Sequence, residues 1–288
     1  MKIRGKQFNR LISKNHIMKL TKAILMNLVL LVLFAGAAQA TPSTTFWTPM
    51  TPDIQSFGVL HIGVDNYFSV NKAVGSGGDP HSLPTDAGLT IGVLPFEKIQ
   101  MEMGVDYLQP ADYPWSFNAK IGFPEGALFK ESPALQAGIF NVGTHTNDAA
   151  PDALTNGTNQ NIVYGLIGKT IPYINCRISA GPYIGNSSVL VNSATGDSQD
   201  KGFMVAIDRG FWAVKDKEGN EFNRLVLAAD YASGTNQIGG GGVGLYYYFT
   251  KDISLLTGPV WFNDSGWNGS WKWTIQLDIN TPKLFGKK

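Results

Sequence analysis

The chain has 288 residues, a formal net charge of +1 and a charged fraction of 16%, against about 25% in a usual soluble domain. Residues 1–40 hold seven of the 23 basic side chains and no acidic one, so the remainder carries 16 basic against 22 acidic side chains. That deficit of positive charge argues against a nucleic-acid partner, which needs a basic surface.

The N-terminal part has the layout of a secretory signal peptide. Two lysines precede an apolar run over residues 23–34, which ends in small residues and an A-x-A cleavage site, Ala38-Gln39-Ala40. A transmembrane anchor is the alternative, but this run is shorter than the roughly 20 residues that span a bilayer. We predict a signal peptide over residues 1–40, with translation starting at Met18, and an N-terminal periplasmic extension over residues 41–56.

From residue 57 onward, apolar and polar residues alternate with the period of a β-strand. Residues 99–107, IQMEMGVDY, show it most clearly, because every second side chain is apolar. Twelve strands are predicted, at residues 57–68, 86–94, 99–107, 115–123, 134–142, 161–169, 173–185, 202–208, 224–231, 240–249, 253–262 and 271–279. Residues 209–223 either extend the flanking hairpin or form a separate one.

The connections between these strands alternate in length. Residues 95–98, 170–172 and 250–252 form tight turns, whereas residues 71–85, 143–160 and 186–201 form long loops rich in Gly, Ser, Asn, Asp and Pro. Short periplasmic turns and long extracellular loops are typical of bacterial outer-membrane barrels. An even number of strands then places both ends of the barrel in the periplasm.

Pairing across the hairpins supports the strand phases. The predicted registers pair Val93 with Ile99, Ile91 with Met101, Leu166 with Cys176, Tyr164 with Ile178, Phe249 with Ile253, Tyr247 with Leu255, Met103 with Ala119 and Glu102 with Lys120. Apolar residues thereby share one face, on which Cys176 is a small apolar residue. The pair of opposite charges is predicted to contribute about 0.2–1 kcal/mol and to help set the field of a pore.

The apolar face points either to lipid or to the core of a soluble β-sandwich, which is the alternative. Two features favour lipid. The apolar face is bulky, with Met101, Met103, Trp115, Phe117 and Trp273, and aromatic residues gather near strand ends, as at the two interfaces of a membrane.

The chain therefore resembles the bacterial outer-membrane β-barrels as a class, over most of residues 57–279. The last strand, WKWTIQLDIN, alternates well, although Phe285 lies beyond Pro282 and is not the final residue. The resemblance implies an all-β, transmembrane, antiparallel up-and-down barrel of about twelve strands within residues 57–288. It also implies a monomer in the bacterial outer membrane, contact with lipid, and insertion by the barrel-assembly machinery.

The polar face would then line the lumen. The predicted lumen-lining residues are Glu102, Asp106, Lys120, Lys169, Arg177, Arg224, Asp230, Lys272 and Asp278, with Asp65 and Asp208 as further acids. Inward glycines, among them Gly165, Gly242 and Gly244, leave room inside the wall. This favours a passive channel for small polar solutes. The alternative is a structural or adhesive barrel with a plugged lumen and surface loops that bind a partner.

No chemical motif stands out. The glycine run at residues 239–242 is followed by a strand and not by the Lys-Ser/Thr and helix of a phosphate loop. His145 has Asp148 and Asp152 nearby in a polar loop, a pattern that is usually only solvated. We predict no enzymatic activity, no cofactor and no metal.

Overall fold

A computed structural model describes residues 46–70, 85–108, 113–145, 157–269 and 271–286. Its strands are β1 (Leu60–Phe68), β2 (Asp86–Gly92), β3 (Gln100–Leu108), β4 (Trp115–Phe123), β5 (Ala134–Gly143), β6 (Asn159–Ile171), β7 (Cys176–Ile184), β8 (Lys201–Lys215), β9 (Glu221–Ala232), β10 (Gly240–Thr250), β11 (Ile253–Phe262) and β12 (Trp271–Asn280). Each strand pairs antiparallel with its neighbours in sequence, and β1 pairs with β12. The prediction of a closed twelve-strand barrel is confirmed.

The barrel has two distinct ends. One end carries the tight turns and the start of β1 and end of β12, and we call it the tight-turn end. The opposite, long-loop end carries the connections that precede β2, β4, β6, β8, β10 and β12. Parts of the predicted loops 71–85 and 143–160 lie outside the described residues, as do Asp148 and Asp152. Within the described ranges, no helix is long and apolar enough to cross a membrane.

The outer face of the wall is apolar and exposed. Met103 and Phe117 are 50% and 47% exposed on adjacent strands, whereas Glu102 and Lys120, one residue from Met103 and three from Phe117, are 2% and 3% exposed. Successive side chains of a strand point to opposite faces, so the charged residues point into the barrel. A closed sheet has no free edge, and its outer face is the surface that the barrel presents to its surroundings.

Three registers agree with the predicted faces. Across β3 and β4, Met103 lies opposite Ala119 and Glu102 opposite Lys120, as predicted. Across β10 and β11, Tyr247 lies opposite Leu255 as predicted, and a bulge between Tyr248 and Thr250 shifts the pairing at the turn, so that Thr250 pairs with Ile253. Across β2 and β3, Ile91 lies opposite Met103 and not Met101. That shift of two residues leaves every side chain on its predicted face.

The register of β6 and β7 is wrong in the sequence prediction. Ile171 pairs with Cys176 and Lys169 with Ile178, because the turn is later and longer than predicted, with a 3₁₀ turn at Pro172–Ile174 and Asn175 in the left-handed region. The shift is an odd number of residues and therefore reverses the face of β6. Tyr164 and Leu166 are buried inside the barrel. Gly165 and Lys169 consequently belong to the outer face.

Residues 209–223 extend the flanking hairpin. β8 runs to Lys215 and β9 begins at Glu221, and the two ends pair directly. Asp216 closes the turn, since its Oδ1 accepts hydrogen bonds from the backbone N–H groups of Glu218 and Asn220. Gly219, with φ at 87°, supplies the left-handed conformation that the turn needs.

Residues 46–56 lie inside the barrel and do not extend away from it. Phe46 and Met50 are fully buried and Ile54 is 7% exposed. Met50 packs in a cluster with inward side chains of β6–β9, and Phe46 packs in a second cluster with inward side chains of β9–β11. An extension in water would leave these apolar side chains solvated, whereas the lumen removes them from water. We call residues 46–56 the plug segment.

Candidate functional site: a plugged lumen and its cavity

The plug segment is anchored at its start by one carboxylate of β9. Asp230 Oδ2 accepts hydrogen bonds from the backbone N–H groups of Phe46, Trp47 and Thr48 at 2.9, 2.7 and 2.6 Å, and from Thr48 Oγ1 at 3.0 Å. Its other oxygen accepts from Gly242 N at 3.3 Å. Hydrogen bonds to a carboxylate are stronger than neutral ones. Asp230 therefore fixes the chain direction of the segment at the middle of the barrel.

A second anchor joins the plug segment to β7 and β8. Arg177 Nη1 donates to both oxygens of Asp53, at 2.9 and 2.8 Å, and its Nε donates to Asp208 Oδ2 at 2.8 Å. Arg177 and Asp208 are buried. A guanidinium can serve two carboxylates because its donors are arranged as a planar fork. One arginine thus connects two wall strands with the plug segment.

The predicted pair on β3 and β4 is the third anchor. Lys120 Nζ lies 3.3 Å from Glu102 Oε1, which confirms that the two charges pair. Glu102 Oε2 also accepts a hydrogen bond from Gln55 N at 2.6 Å, and Lys120 Nζ donates to Thr51 O at 3.5 Å. Both charged side chains are buried against the plug segment, so the pair holds that segment and does not face an open pore.

Neutral hydrogen bonds complete the attachment. Ser179 Oγ donates to Met50 O and Gln136 Nε2 donates to Pro52 O. The plug segment thereby contacts β3, β4, β5, β7 and β9 through polar groups. Since buried backbone groups need partners, these wall side chains replace the water that the segment would otherwise bind.

Glycines of the wall make space for the plug segment. A Cβ atom added at Gly244 or Gly258 would lie 2.6 or 2.8 Å from the Phe46 ring, and one at Gly242 would also meet that ring. The inward glycines at residues 242 and 244, which the sequence analysis interprets as free room, are therefore filled by an aromatic side chain. Room left by missing side chains is not by itself evidence for an open pore.

Beyond the plug segment, toward the long-loop end, lies a cavity of about 420 Å³. Trp47, Thr48 and Pro49 of the plug segment form part of its lining. The ionisable groups around it are Asp65, Asp86, Glu102, Asp106, Lys120 and Lys272, and its aromatic residues are Trp47, Tyr67, Phe140, Tyr164, Phe262 and Trp267. We call this space the lumen cavity. Its size is in the range of small-molecule sites.

Three connections at the long-loop end are tied together. Trp267 Nε1 donates to Val191 O at 2.9 Å, and Asn268 Nδ2 donates to Gln237 O at 2.7 Å. Asp264 accepts from Ser193 N at 2.8 Å. Because Trp267, Asn268 and Gln237 also line the lumen cavity, these bonds give the cavity a fixed rim.

The structure places the predicted lumen residues in four groups. Asp230, Arg177, Glu102 and Lys120 contact the plug segment, and Glu102 and Lys120 also line the lumen cavity, as do Asp106 and Lys272. Asp278 is buried near the tight-turn end, 3.4 Å from His61 Nε2. Arg224 lies at the same end among aromatic rings and donates to Phe249 O at 3.2 Å. Lys169 does not line the lumen, because its strand faces outward there and its Nζ lies 2.7 Å from Glu125 of the neighbouring turn.

Sequence reasoning missed the plug segment and the cavity residue Asp86. The segment FWTPMTPDIQS has no strand period, but it carries four large apolar residues in a stretch expected to be solvated. Such residues are normally buried in a folded chain. That excess of apolar side chains is the signal that could have indicated a second role for residues 46–56.

The described residues give no support for a catalytic or metal centre. His145 stacks on Tyr113 with ring centroids 4.0 Å apart. His61 contacts Asn280 and Asp278 at the tight-turn end. Within the ranges that the structure covers, no group of three or more His, Cys, Asp or Glu side chains is arranged to hold a metal ion.

No protein-family model matches the sequence, and no curated protein matches it. Among solved structures, the chain is similar to the KdgM porin, with 9% identity, a TM-score of 0.45, and 78% of this chain and 98% of that chain covered. It is also similar to an outer membrane channel from Pseudomonas putida F1, with 11% identity, a TM-score of 0.44, and 84% and 100% covered. Salmonella typhi OmpF in complex with daunomycin gives 8% identity and a TM-score of 0.37, with 77% and 96% covered. At TM-scores this low, the similarities carry no argument about function, and the proposals below rest on geometry.

Proposed function

We propose that this barrel spans a bacterial outer membrane and passes small polar solutes through a lumen that the plug segment narrows. The membrane location is supported by the outer face, where apolar side chains such as Met103, Phe117 and Ile167 are about half exposed. Water would disfavour so much exposed apolar surface, whereas lipid favours it. The barrel closes on itself, which satisfies the backbone groups that lipid cannot.

Met103→Arg should destabilise the barrel by about 2–4 kcal/mol, because it places a charge near the middle of the lipid-facing band. Leu128→Arg is the matched control, since Leu128 is 47% exposed in the turn between β4 and β5 and lies outside the strands. The control should change stability by less than about 0.5 kcal/mol. Urea unfolding of both variants in lipid vesicles measures the difference. Equal stability of the two variants would place the outer face in water.

The observation that carries the channel proposal is the polar lumen cavity above a plug segment that polar contacts hold in place. Asp230, Arg177, Glu102 and Lys120 bind the segment by hydrogen bonds and ion pairs, and water can substitute for such contacts. A plug held in this way can narrow or close a path without being part of the wall. Its residues precede β1 and contribute no strand to the closed sheet.

Single-channel recording tests the proposal. Purified mature protein in a planar bilayer should give discrete steps that are small for a barrel of twelve strands, because the plug segment occupies the lumen from the middle of the barrel to the tight-turn end. The absence of steps, both in the parent protein and in a variant without the plug segment, would exclude a channel.

The same plug segment favours a second candidate, a barrel without an open path that presents its long loops to a partner. The observation that favours this second candidate is the fixed rim of the lumen cavity. There, Trp267, Asn268 and Asp264 join three of the long-loop connections by hydrogen bonds. Recordings that show no conductance even without the plug segment would favour this candidate over the channel.

A further inference from the structure

Three carboxylates of neighbouring strands converge on the lumen cavity. Asp65 of β1 lies directly opposite Asp86 of β2, and Asp106 of β3 lies opposite Gly88, two residues from Asp86. Directly opposed side chains have Cβ atoms about 4.5–5.5 Å apart, and diagonal ones about 7–8 Å. Like charges at such positions repel each other. The fold therefore concentrates carboxyl groups at one side of the cavity.

No cation of the described wall neutralises this group. Neither Asp65, Asp86 nor Asp106 forms an ion pair with a lysine, arginine or histidine within the described ranges. Lys120 also lines the cavity but is paired with Glu102. With Lys272, the four carboxylates and two ammonium groups around the cavity give a formal charge of −2. The carboxylate group thus has capacity for added positive charge.

Two buried polar atoms beside the carboxylates also lack partners. Ser116 lies opposite Asp106, is 2% exposed and lines the cavity, and its Oγ has no hydrogen-bond partner among the described residues. Asp86 Oδ1 is buried and unpartnered in the same way. Asp106 receives a single side-chain hydrogen bond, from Asn118 Nδ2 at 2.8 Å. Since buried polar atoms are normally satisfied, these two oxygens have unused capacity to accept hydrogen bonds from a ligand in the cavity.

The surroundings indicate an organic cation and not a metal ion. The described carboxylates are not grouped closely enough to hold a metal, and the cavity of about 420 Å³ is far larger than an ion. Six aromatic side chains line it, among them Trp47, Tyr67 and Trp267. Aromatic faces attract ammonium groups. We propose that the lumen cavity binds small organic solutes with primary ammonium groups through Asp65, Asp86 and Asp106.

The proposal that such solutes also permeate rests on the proposed channel function. Their binding to the lumen cavity can be measured without conduction. The probe is 1,4-diaminobutane, which is doubly charged at pH 7 and carries one primary ammonium group at each end. Its uncharged analogue, 1,4-butanediol, is the control ligand. Titration of the purified barrel in detergent, followed by tryptophan fluorescence, to which Trp47 and Trp267 contribute from the cavity lining, should show saturable binding of the diamine and none of the diol.

The variants Asp86→Asn and Asp106→Asn should each weaken diamine binding by about tenfold or more, since each removes a charge-assisted hydrogen bond. Both should fold, because an amide in place of a carboxylate reduces repulsion, and Asp65→Asn provides the same test on a third strand. Asp197→Asn, in an exposed loop away from the cavity, should bind like the parent protein. Unchanged binding in all three cavity variants, or equal binding of the diol, would overturn the proposal. Loss of conductance with intact diamine binding would instead reject only the channel.

Discussion

Deletion of residues 46–56 should raise the unitary conductance of the barrel several-fold. These residues run inside the lumen from the middle of the barrel, at Phe46, to the tight-turn end, with Phe46, Met50 and Ile54 buried and their backbone bound by wall side chains. Without them, water can enter and solvate the inward carboxylates and the guanidinium of Arg177. The closed ladder of twelve strands does not depend on the segment for its backbone hydrogen bonds. The barrel should therefore remain folded while its path widens.

A second variant tests whether conductance is lowered by the anchored side chains of the plug segment or simply by a chain of that length in the lumen. Replacement of residues 46–56 by a Gly-Ser segment of equal length keeps the chain but removes Asp53, the Phe46 ring and the buried apolar side chains. Its conductance should approach that of the deletion, with more fluctuation. Far-ultraviolet circular dichroism checks that each barrel is folded. Step sizes equal to those of the parent protein, in folded barrels, would contradict a blocking role for the plug segment.

Lys120→Met should lower the free energy of unfolding by about 3–5 kcal/mol, because it leaves Glu102 buried without its counter-charge. Glu102 is 2% exposed, and its remaining partner is the backbone N–H of Gln55. The double variant Glu102→Gln with Lys120→Met removes both charges and should recover most of the loss. The loss of stability expected for Lys120→Met exceeds the roughly 0.2–1 kcal/mol predicted from the sequence, because the plug segment removes the Glu102–Lys120 pair from water.

Lys215→Met is the matched control for Lys120→Met. Lys215 Nζ lies 3.0 Å from Glu221 Oε1 across the same kind of hairpin pairing, but its side chain is 63% exposed. Exposed ion pairs contribute about 0–1 kcal/mol. Urea unfolding in detergent micelles compares the two variants. If Lys120→Met costs no more than Lys215→Met, the pair between Glu102 and Lys120 is solvated and the plug segment does not pack against it.

The strands could be predicted because one physical rule repeats along the chain. An apolar outer face and a polar inner face give each strand a period of two, and a shift of two residues, as between β2 and β3, leaves the faces unchanged. The failure at β6 and β7 came from the turn. The 3₁₀ turn after Ile171 and the left-handed Asn175 alter the register by an odd number of residues, and local composition did not indicate them.

The plug segment could not be predicted by the same rule. Its contacts are to residues far away in sequence, such as Asp230, which is 184 positions from Phe46. Those contacts depend on which wall residues lie at the same height in the closed barrel. The alternation of apolar and polar residues within a strand does not specify those heights. The pairing of Lys120 with Glu102 could be predicted because both residues lie in one hairpin. Their burial depends on contacts with Gln55 and Thr51, which belong to the plug segment and not to that hairpin.

If residues 1–40 are removed as the predicted signal peptide, the position of Phe46 sets a requirement for the maturation of the chain. Phe46 lies at the level of Gly244 and Gly258 in the middle of the barrel, and only eleven residues separate it from the apolar run that ends at residue 34. While that run is still attached and held by the export apparatus, a tether of eleven residues spans at most about 40 Å, so Phe46 stays close to that apparatus. Proteolytic removal of the leader would release the amino terminus and allow the segment to enter. The timing of that cleavage would then determine when the lumen becomes filled.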